Sequence, residues 1–458
     1  MKPICLTTSV LWFPIVGATA TSLGLVWAVG VQAQSIVPAG DGTQTQVTVN
    51  GDLFTITGGI QQDQSLFHSF EQFNLNNGQV ADFVGNPGLV NILGRVTGGS
   101  ASTIDGLLQV TNSNANLYLM NPAGLVFGPN ARLDLAGSFT ATTATAIGFE
   151  NGWFNATGAN AYSALVGSPN RFAFTQVGQG TVLNEGDLAV DSGQSLTLLG
   201  GTVVNTGSLT APGGFINLKA VPDAGVVRLE QAGMILGLDI DPLAADPLAG
   251  SLNTLPSTLT PLDLPQLLTG GNLHHATALV VNADGTVSLS GSDQPLPTGA
   301  GDIALAGTVT VDALILGDGG EARIIAEDEL AFWGEASARG GDLGGNGGLI
   351  DLSGKETLNL VSDWYDRIDV AAPQGVAGTL VFDPNDITIA AGSGPDINGS
   401  PTNANTIYAN HISTFLNTGS LVIQTTGSGG NGDITVNGAL SWSANQLTLL
   451  ATRNLQIN

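Results

Sequence analysis

Apolar residues along this chain come in bursts of three to five, alternate with polar ones, and are cut apart by Asn, Gly and Pro. The clearest stretch runs from Asn121 to Ala144, NPAGLVFGPNARLDLAGSFTATTA. Asn121-Pro122 starts a turn, because Pro fixes φ and Asn closes an Asx turn on its own backbone. Gly124 supplies a positive φ, and Leu125-Val126-Phe127 is then an apolar strand too short for a helix. Gly128-Pro129-Asn130 turns again. Leu133, Leu135 and, after a break at Gly137, Phe139 alternate with Arg132, Asp134 and Ser138, the period-2 signature of half-buried strands. Short strands between such turns are what one rung of a parallel β-helix looks like.

From Thr181 the rungs repeat. Asn184 and Asn205 are 21 residues apart, as are Gly186 and Gly207, Leu188 and Leu209, and Gly193 and Gly214. The register then slips by one, so that Leu196 and Leu198 answer Ile216 and Leu218. A period near 20 fits one turn of three short strands and three bends, stacking Leu on Leu inside and Asn-x-Gly turns in a column. Pro242, Pro247, Pro256, Pro261 and Pro265 interrupt this rhythm. They forbid regular pairing, so 237–271 is expected to be a loop excursion whose Leu residues pack against the helix side. Rungs are expected to resume at Ala278-Leu279-Val280-Val281 and Gly285–Leu289. Gly301-Asp302-Ile303, with Leu305, Gly307 and Val309, is echoed by Gly432-Asp433-Ile434, with Val436, Gly438 and Leu440. Upstream, Gln46–Asn50 and Leu53–Ile56 alternate as strands. Leu66, Phe67, Phe70 and Phe73 suit the apolar face of a cap over the open first rung. The chain ends at Asn458 in mid-alternation, with Leu455 and Ile457 and no polar cap, so a longer parent protein is expected.

Composition agrees with this picture and narrows it. Among 458 residues, 43% are hydrophobic and 10% charged, too apolar for a disordered chain, and the 64 glycines imply many tight turns. The net charge of −26 and the scattered Lys and Arg exclude a cationic face for nucleic acid or an anionic membrane. Lys2, the apolar run from about Val10 to Val29 and Val31-Gln32-Ala33 read as a cleavable signal peptide over 1–33. Cys5 lies within it, so the mature chain carries no cysteine and no disulfide.

With the runs FEQFNLNNGQVADF (Phe70–Phe83) and NILGRVTGGSASTIDGLLQV (Asn91–Val110), the Asn121 stretch resembles the secretion domain of two-partner-secretion exoproteins, the relatives of filamentous haemagglutinin. That family's Asn-Pro-Asn-Gly-Ile is matched at Asn121, Pro122 and Gly124, whereas Ala123 and Leu125 stand for the second Asn and the Ile. GGNGGLIDLSGK (Gly344–Lys355), GTLVFDPNDITI (Gly378–Ile389) and the run from Gly430 onward resemble downstream parts of cyanobacterial-type members. The resemblance implies an all-β chain: a right-handed, single-stranded parallel β-helix of the pectin-lyase-like solenoid kind, with an N-terminal cap. Its expected organisation is a secretion domain over 34–180, rungs over 181–236, the excursion over 237–271 and further repeats over 272–458. It further implies export as an unfolded chain through the periplasm, recognition by an outer-membrane β-barrel transporter of the two-partner family, and a place outside the cell or on its surface. The implied role is that of an adhesin with a host-cell or glycan receptor, working as a monomeric rod. Phe83, Asn91, Arg95, Asn121, Pro122, Gly124 and Phe127 are the candidate residues on which recognition and cap folding depend. The plainer alternative is that they are merely turn and core residues of the rung, and for Phe127 that alternative is favoured.

No catalytic, cofactor or metal site is expected. Gly340–Gly348 lacks Gly-x-Gly-x-x-Gly and Lys-Ser/Thr, so it cradles no phosphate, and neither glycine run meets the Gly-Gly-x-Gly-x-Asp calcium pattern. The histidines are His68, His274, His275 and His411. His274 and His275 are adjacent and on a strand would point to opposite faces. The enzymatic rival rests on the fold, since β-helices also carry polysaccharide lyases and hydrolases. Asp363, Trp364, Tyr365, Asp366, Arg367 and Asp369 form the densest polar-aromatic group, with Asp363 and Asp366 as acid and base. The plainer alternative for it is a solvated bend with a local ion pair. A structural sheath protein is the third class.

Overall fold

The computed structural model describes residues 35–176, 180–228, 240–256, 259–269, 278–291, 295–392, 405–426 and 430–458. The signal-peptide segment and His274 and His275 lie outside the described residues. Period-2 segments stack here as a parallel β-helix. One rung runs through Asn116–Met120, Leu125–Phe127 and Arg132–Asp134, and the next begins at Phe139–Thr142 directly above the first strand. Repetition builds three faces, with 13 strands on the first, 10 on the second and 7 on the third. Within each strand every other side chain points inward. Ile216, Leu218 and Ala220 join a continuous core reaching from Ile36 to Val436, while Asn217 and Lys219 face outward.

The repeat read from the sequence is the repeat in space. Asn184 pairs with Asn205, Leu188 with Leu209, Leu196 with Ile216 and Leu198 with Leu218, so the one-residue slip is absorbed in the bend between faces. The Asn184 amide donates to Asn205 Oδ1 at 2.8 Å, and its Oδ1 accepts from Gly186 N at 3.0 Å. Glycines of successive rungs also stack. A Cβ at Gly207 would fall on the Gly186 carbonyl, one at Gly307 on that of Gly207, and one at Gly334 on that of Gly307. A second column joins Gly214, Gly320, Gly348 and Gly378 in the same way. Much of the glycine excess therefore keeps rungs at β spacing where bends touch.

Twice the chain leaves the helix after a first-face strand. Residues following Thr142 form Ala146–Phe149, Gly152–Asn155 and Arg171–Phe174, and those following Ala220 form Gly225–Arg228 and Ile240–Pro242. These five strands make one antiparallel sheet. Its Ile147, Phe149, Phe154, Phe172 and Phe174 cover Phe67, Leu93, Met120 and Leu199 on the outer side of the first face.

Two expectations are corrected. Phe67 belongs to this outer cluster, and only Leu66, Phe70 and Phe73 face the inner core at the capped end. A spacing of three on a strand sends Phe67 and Phe70 to opposite sides, and the register shift between Phe70 and Gln72 returns Phe73 to the side of Phe70. Rungs do not resume at Ala278: Leu279–Val281 and Val287–Leu289 pair antiparallel with each other, closed by a turn in which Gly285 N donates to Asn282 O at 3.0 Å. The β-helix resumes at Ile303–Leu305, which pairs with the third-face strand Thr202–Asn205. Alternation reports a strand and not its partner. The Pro- and Leu-rich excursion does pack down, with Leu264 and Leu267 of the short helix Leu264–Thr269 clustered on Val126, Leu183 and Val204.

Candidate functional site

The rung at Asn121–Phe127 is assembled from its turn outward. Asn121 Oδ1 accepts from Ala123 N at 3.0 Å, which is the Asx turn, and Gly124 N donates to Asn121 O at 3.1 Å. The Asn121 amide donates to Ser100 O at 2.9 Å and Ser102 Oγ at 3.0 Å, tying the turn to the rung below. Gly124 adopts φ +130°, and a Cβ there would lie 3.0 Å from Leu267 Cδ2. The proline-rich excursion closes over this turn: Leu262 N donates to Ala123 O and Thr181 N to Leu262 O, both at 3.1 Å. Asn121, Pro122, Ala123, Gly124 and Leu125–Phe127 are all buried. Ala123, in the place of the family's Asn, brings no side-chain acceptor into this closed space.

The other candidates fall into two groups. Phe83 and Phe127 are core residues. Phe83 packs against Phe70 and Phe73, with ring centroids 6.2 and 6.0 Å away, and Phe127 against Phe139 at 5.9 Å. Asn91 and Arg95 are buried polar ties. The Asn91 amide donates to Ser65 Oγ at 3.3 Å and its Oδ1 accepts from Asn116 at 3.2 Å. Arg95 is 2% exposed. Its Nε donates to Ser69 Oγ at 3.0 Å, one terminal nitrogen to Asn155 O at 2.7 Å and Gly158 O at 3.0 Å, and the other to Asp41 Oδ2 at 2.7 Å. One guanidinium thus joins the first strands, the cap and the antiparallel side sheet. Partial burial pushes the Asp41 carboxyl up, but hydrogen bonds from Ser69, Thr43 and Arg95 prevail and hold it at about 2. Asp41 and Ser69 are partners of Arg95 that sequence reasoning missed, because nothing local links them to it.

His68 sits in the cap on the inner side of Ser65–Phe73, fully buried, 5.9 Å from Phe83 and 6.2 Å from Phe70 between ring centroids. Burial lowers its pKa to about 4 from 6.5. The unfolded imidazole therefore binds a proton near pH 6.5 and the folded one only near 4. Its contribution to stability is complete above the higher value and declines between the two, by about 1.4 kcal/mol per pH unit. A His68→Leu variant is expected to melt less steeply with pH across that window than wild type. Equal slopes would show that His68 does not govern it.

The candidate enzymatic group is engaged in core packing and an ion pair. Trp364 is 2% exposed, packed on Phe382 and Phe415, and cannot stack on a sugar. Arg367 grips Asp363 at 2.8 and 3.0 Å; that hydrogen bond holds the carboxyl below its usual range, which is wrong for a general acid. Asp366 is exposed and the Tyr365 ring lies against His411 at 4.7 Å. Among the described residues no group of three His, Cys, Asp or Glu is placed to hold a metal, and no helix is long and apolar enough to cross a membrane.

Fold and site together define an all-β solenoid whose capped first rungs are locked by buried polar ties. The TPS secretion domain family model matches residues 33–275, just over half of the chain, and the chain belongs to that family, whose members are two-partner-secretion exoproteins. Among solved structures it is similar to the HMW1 secretion domain from Haemophilus influenzae, at 15% identity and TM-score 0.43 over 89% of this chain and 83% of that one. It is also similar to the filamentous hemagglutinin secretion domain, at 16% identity and TM-score 0.36 over 93% of this chain and 100% of that one. Comparison with curated proteins finds no match.

Proposed function

We propose that this chain is exported through a dedicated outer-membrane β-barrel transporter that reads its N-terminal rungs before they fold, and that it then serves in surface attachment outside the cell. The signal peptide delivers the unfolded chain to the periplasm. Rungs then form outside, each burying apolar area and pairing its backbone on the one before, which favours onward movement without ATP. The observation that carries this reading is the burial of the whole Asn121–Phe127 turn, with the Asn121 side chain spent on internal hydrogen bonds. A folded motif of this kind offers a docking partner nothing. It contributes to export as an unfolded address, as a folding step, or as both in sequence.

The test is co-expression of the full chain with its outer-membrane transporter, scoring protein in the medium. Asn121→Ala takes a partner from two buried groups, Ala123 N and Ser102 Oγ, costing about 1–3 kcal/mol each before relaxation, and export is expected to fall at least tenfold. Phe127→Ala, a core truncation, tests the folding step alone. Export that is independent of the transporter and indifferent to Asn121→Ala would overturn the proposal.

A further inference from the structure

The glycine-dense segment near Gly340–Gly348 belongs to a surface feature. On three successive rungs the bend leading from the second face to the first is long, forming loops 311–320, 338–348 and 370–378. The loops are bonded to one another. Leu343 N donates to Ile315 O at 2.9 Å, Gly317 N to Gly344 O at 2.8 Å and Gly347 N to Val376 O at 2.9 Å. Asn346 N donates to Asp318 Oδ1 at 2.6 Å, and Asn346 Oδ1 accepts from Val376 N at 3.0 Å. Their tips carry Leu314, Ile315, Leu316, Leu343 and Val376, which are between 61% and 74% exposed. Gly344 approaches so closely that a Cβ there would lie 3.2 Å from Leu316 Cδ1. Five aliphatic side chains are thus held in water on a pre-ordered crest, where burial of each would be worth about 1.5–3 kcal/mol.

We propose that this crest is a docking surface for a short basic segment of a partner protein, one that sets apolar side chains between Leu316 and Leu343. Charge selects the occupant. The loops hold Asp312, Asp318 and Asp342, and their one base, Arg339, lies 3.5 Å from the carboxylate of Asp369. A second copy or an anionic membrane would meet like charge, since each chain carries −26. A segment fits that limit, with apolar contacts supplying affinity and carboxylates supplying selection.

The full chain is titrated calorimetrically with a peptide alternating Lys and Leu, and with counterparts carrying Glu for Lys or Ser for Leu. The Lys-Leu peptide is expected to bind at least tenfold more tightly than either counterpart, and at least tenfold less tightly to a Leu316→Ser, Leu343→Ser double variant. The crest is exposed, so the double variant should keep its melting temperature, which checks its folding. Equal binding to wild type and double variant, or preference for the Glu-Leu peptide, overturns the proposal. So does a wild-type dimer in sedimentation, or retention on phosphatidylcholine vesicles, that the double variant lacks.

Discussion

Replacing Arg95 with Ala is expected to unlock the N-terminal cap at a cost of about 3–5 kcal/mol, from losing a buried guanidinium whose charge-assisted hydrogen bonds are worth about 1.5–3 kcal/mol each. The guanidinium is almost completely enclosed and gives four hydrogen bonds to Asp41, Ser69, Asn155 and Gly158. It also lies 5.6 Å from the centre of the Phe154 ring. Removing it takes a charged donor from the Ser69 hydroxyl, which keeps its bond to Asp41, and from the Asn155 carbonyl, which keeps the Asn160 amide, and it moves Asp41 part of the way toward ordinary titration. Asp41 contributes stability above its unfolded value of 3.8, lost as pH falls toward about 2, and this acid limb should shrink but persist in the variant, because the Ser69 and Thr43 hydrogen bonds to Asp41 remain. Hydrogen exchange of the purified chain reads the effect directly. Amides of Ile36 and Val37, Ser65–Phe73 and Gly152–Asn155 should lose protection together, while those of Leu349–Gly354, many rungs away, keep theirs. Arg95→Lys retains a charge toward Asp41 but not the planar fork, and should fall between. Protection unchanged within about 1 kcal/mol would mean that Arg95 merely fills space.

Arg95 also marks where the sequence stops being legible. The rungs themselves are written locally: Asn184 and Asn205, spaced by 21, sit on one another in space. The Asx turn at Asn121 and the positive φ at Gly124 follow from residue type alone. The partners of Arg95 do not, because Asp41 is 54 residues before it and Asn155 is 60 after. The side sheet was illegible for a related reason. Ile147, Phe149, Phe172 and Phe174 alternate as rung strands do, and a period of two says nothing about parallel or antiparallel pairing. The same blindness misplaced Leu279–Val281 and Val287–Leu289. The signal for true resumption was present in Gly301-Asp302-Ile303. Asp302 accepts from Gly299 N at 2.7 Å and from Glu329 N at 3.1 Å, so its carboxylate shapes the bend that restarts the ladder. Burial of the motif turn was not legible either, since its cover comes from Leu262 and Leu267 in the proline-rich excursion.

Gly307→Ala is expected to be among the most damaging single methyl groups that can be added to the later rungs. Gly307 has nothing unusual in its sequence surroundings, and its need for glycine comes wholly from stacking. The added Cβ would fall on the Gly207 carbonyl oxygen, which itself accepts from Thr308 N at 2.9 Å. Backbone on both sides leaves no rotamer to escape into, so the rungs must part. Parting weakens the bonds from Thr308 N to Gly207 O and from Gly307 N to Asn205 O, and disturbs Gly334, whose own Cβ position lies on the Gly307 carbonyl. Overpacking and lost ladder bonds together predict a loss of about 2–4 kcal/mol. Gly250→Ala is the matched control: no atom lies within 4 Å of a Cβ there, so it should be neutral or slightly stabilising through the unfolded chain. Urea unfolding of the two variants beside wild type decides the matter. Equal midpoints for Gly307→Ala and Gly250→Ala would refute the glycine column as the element that sets rung spacing.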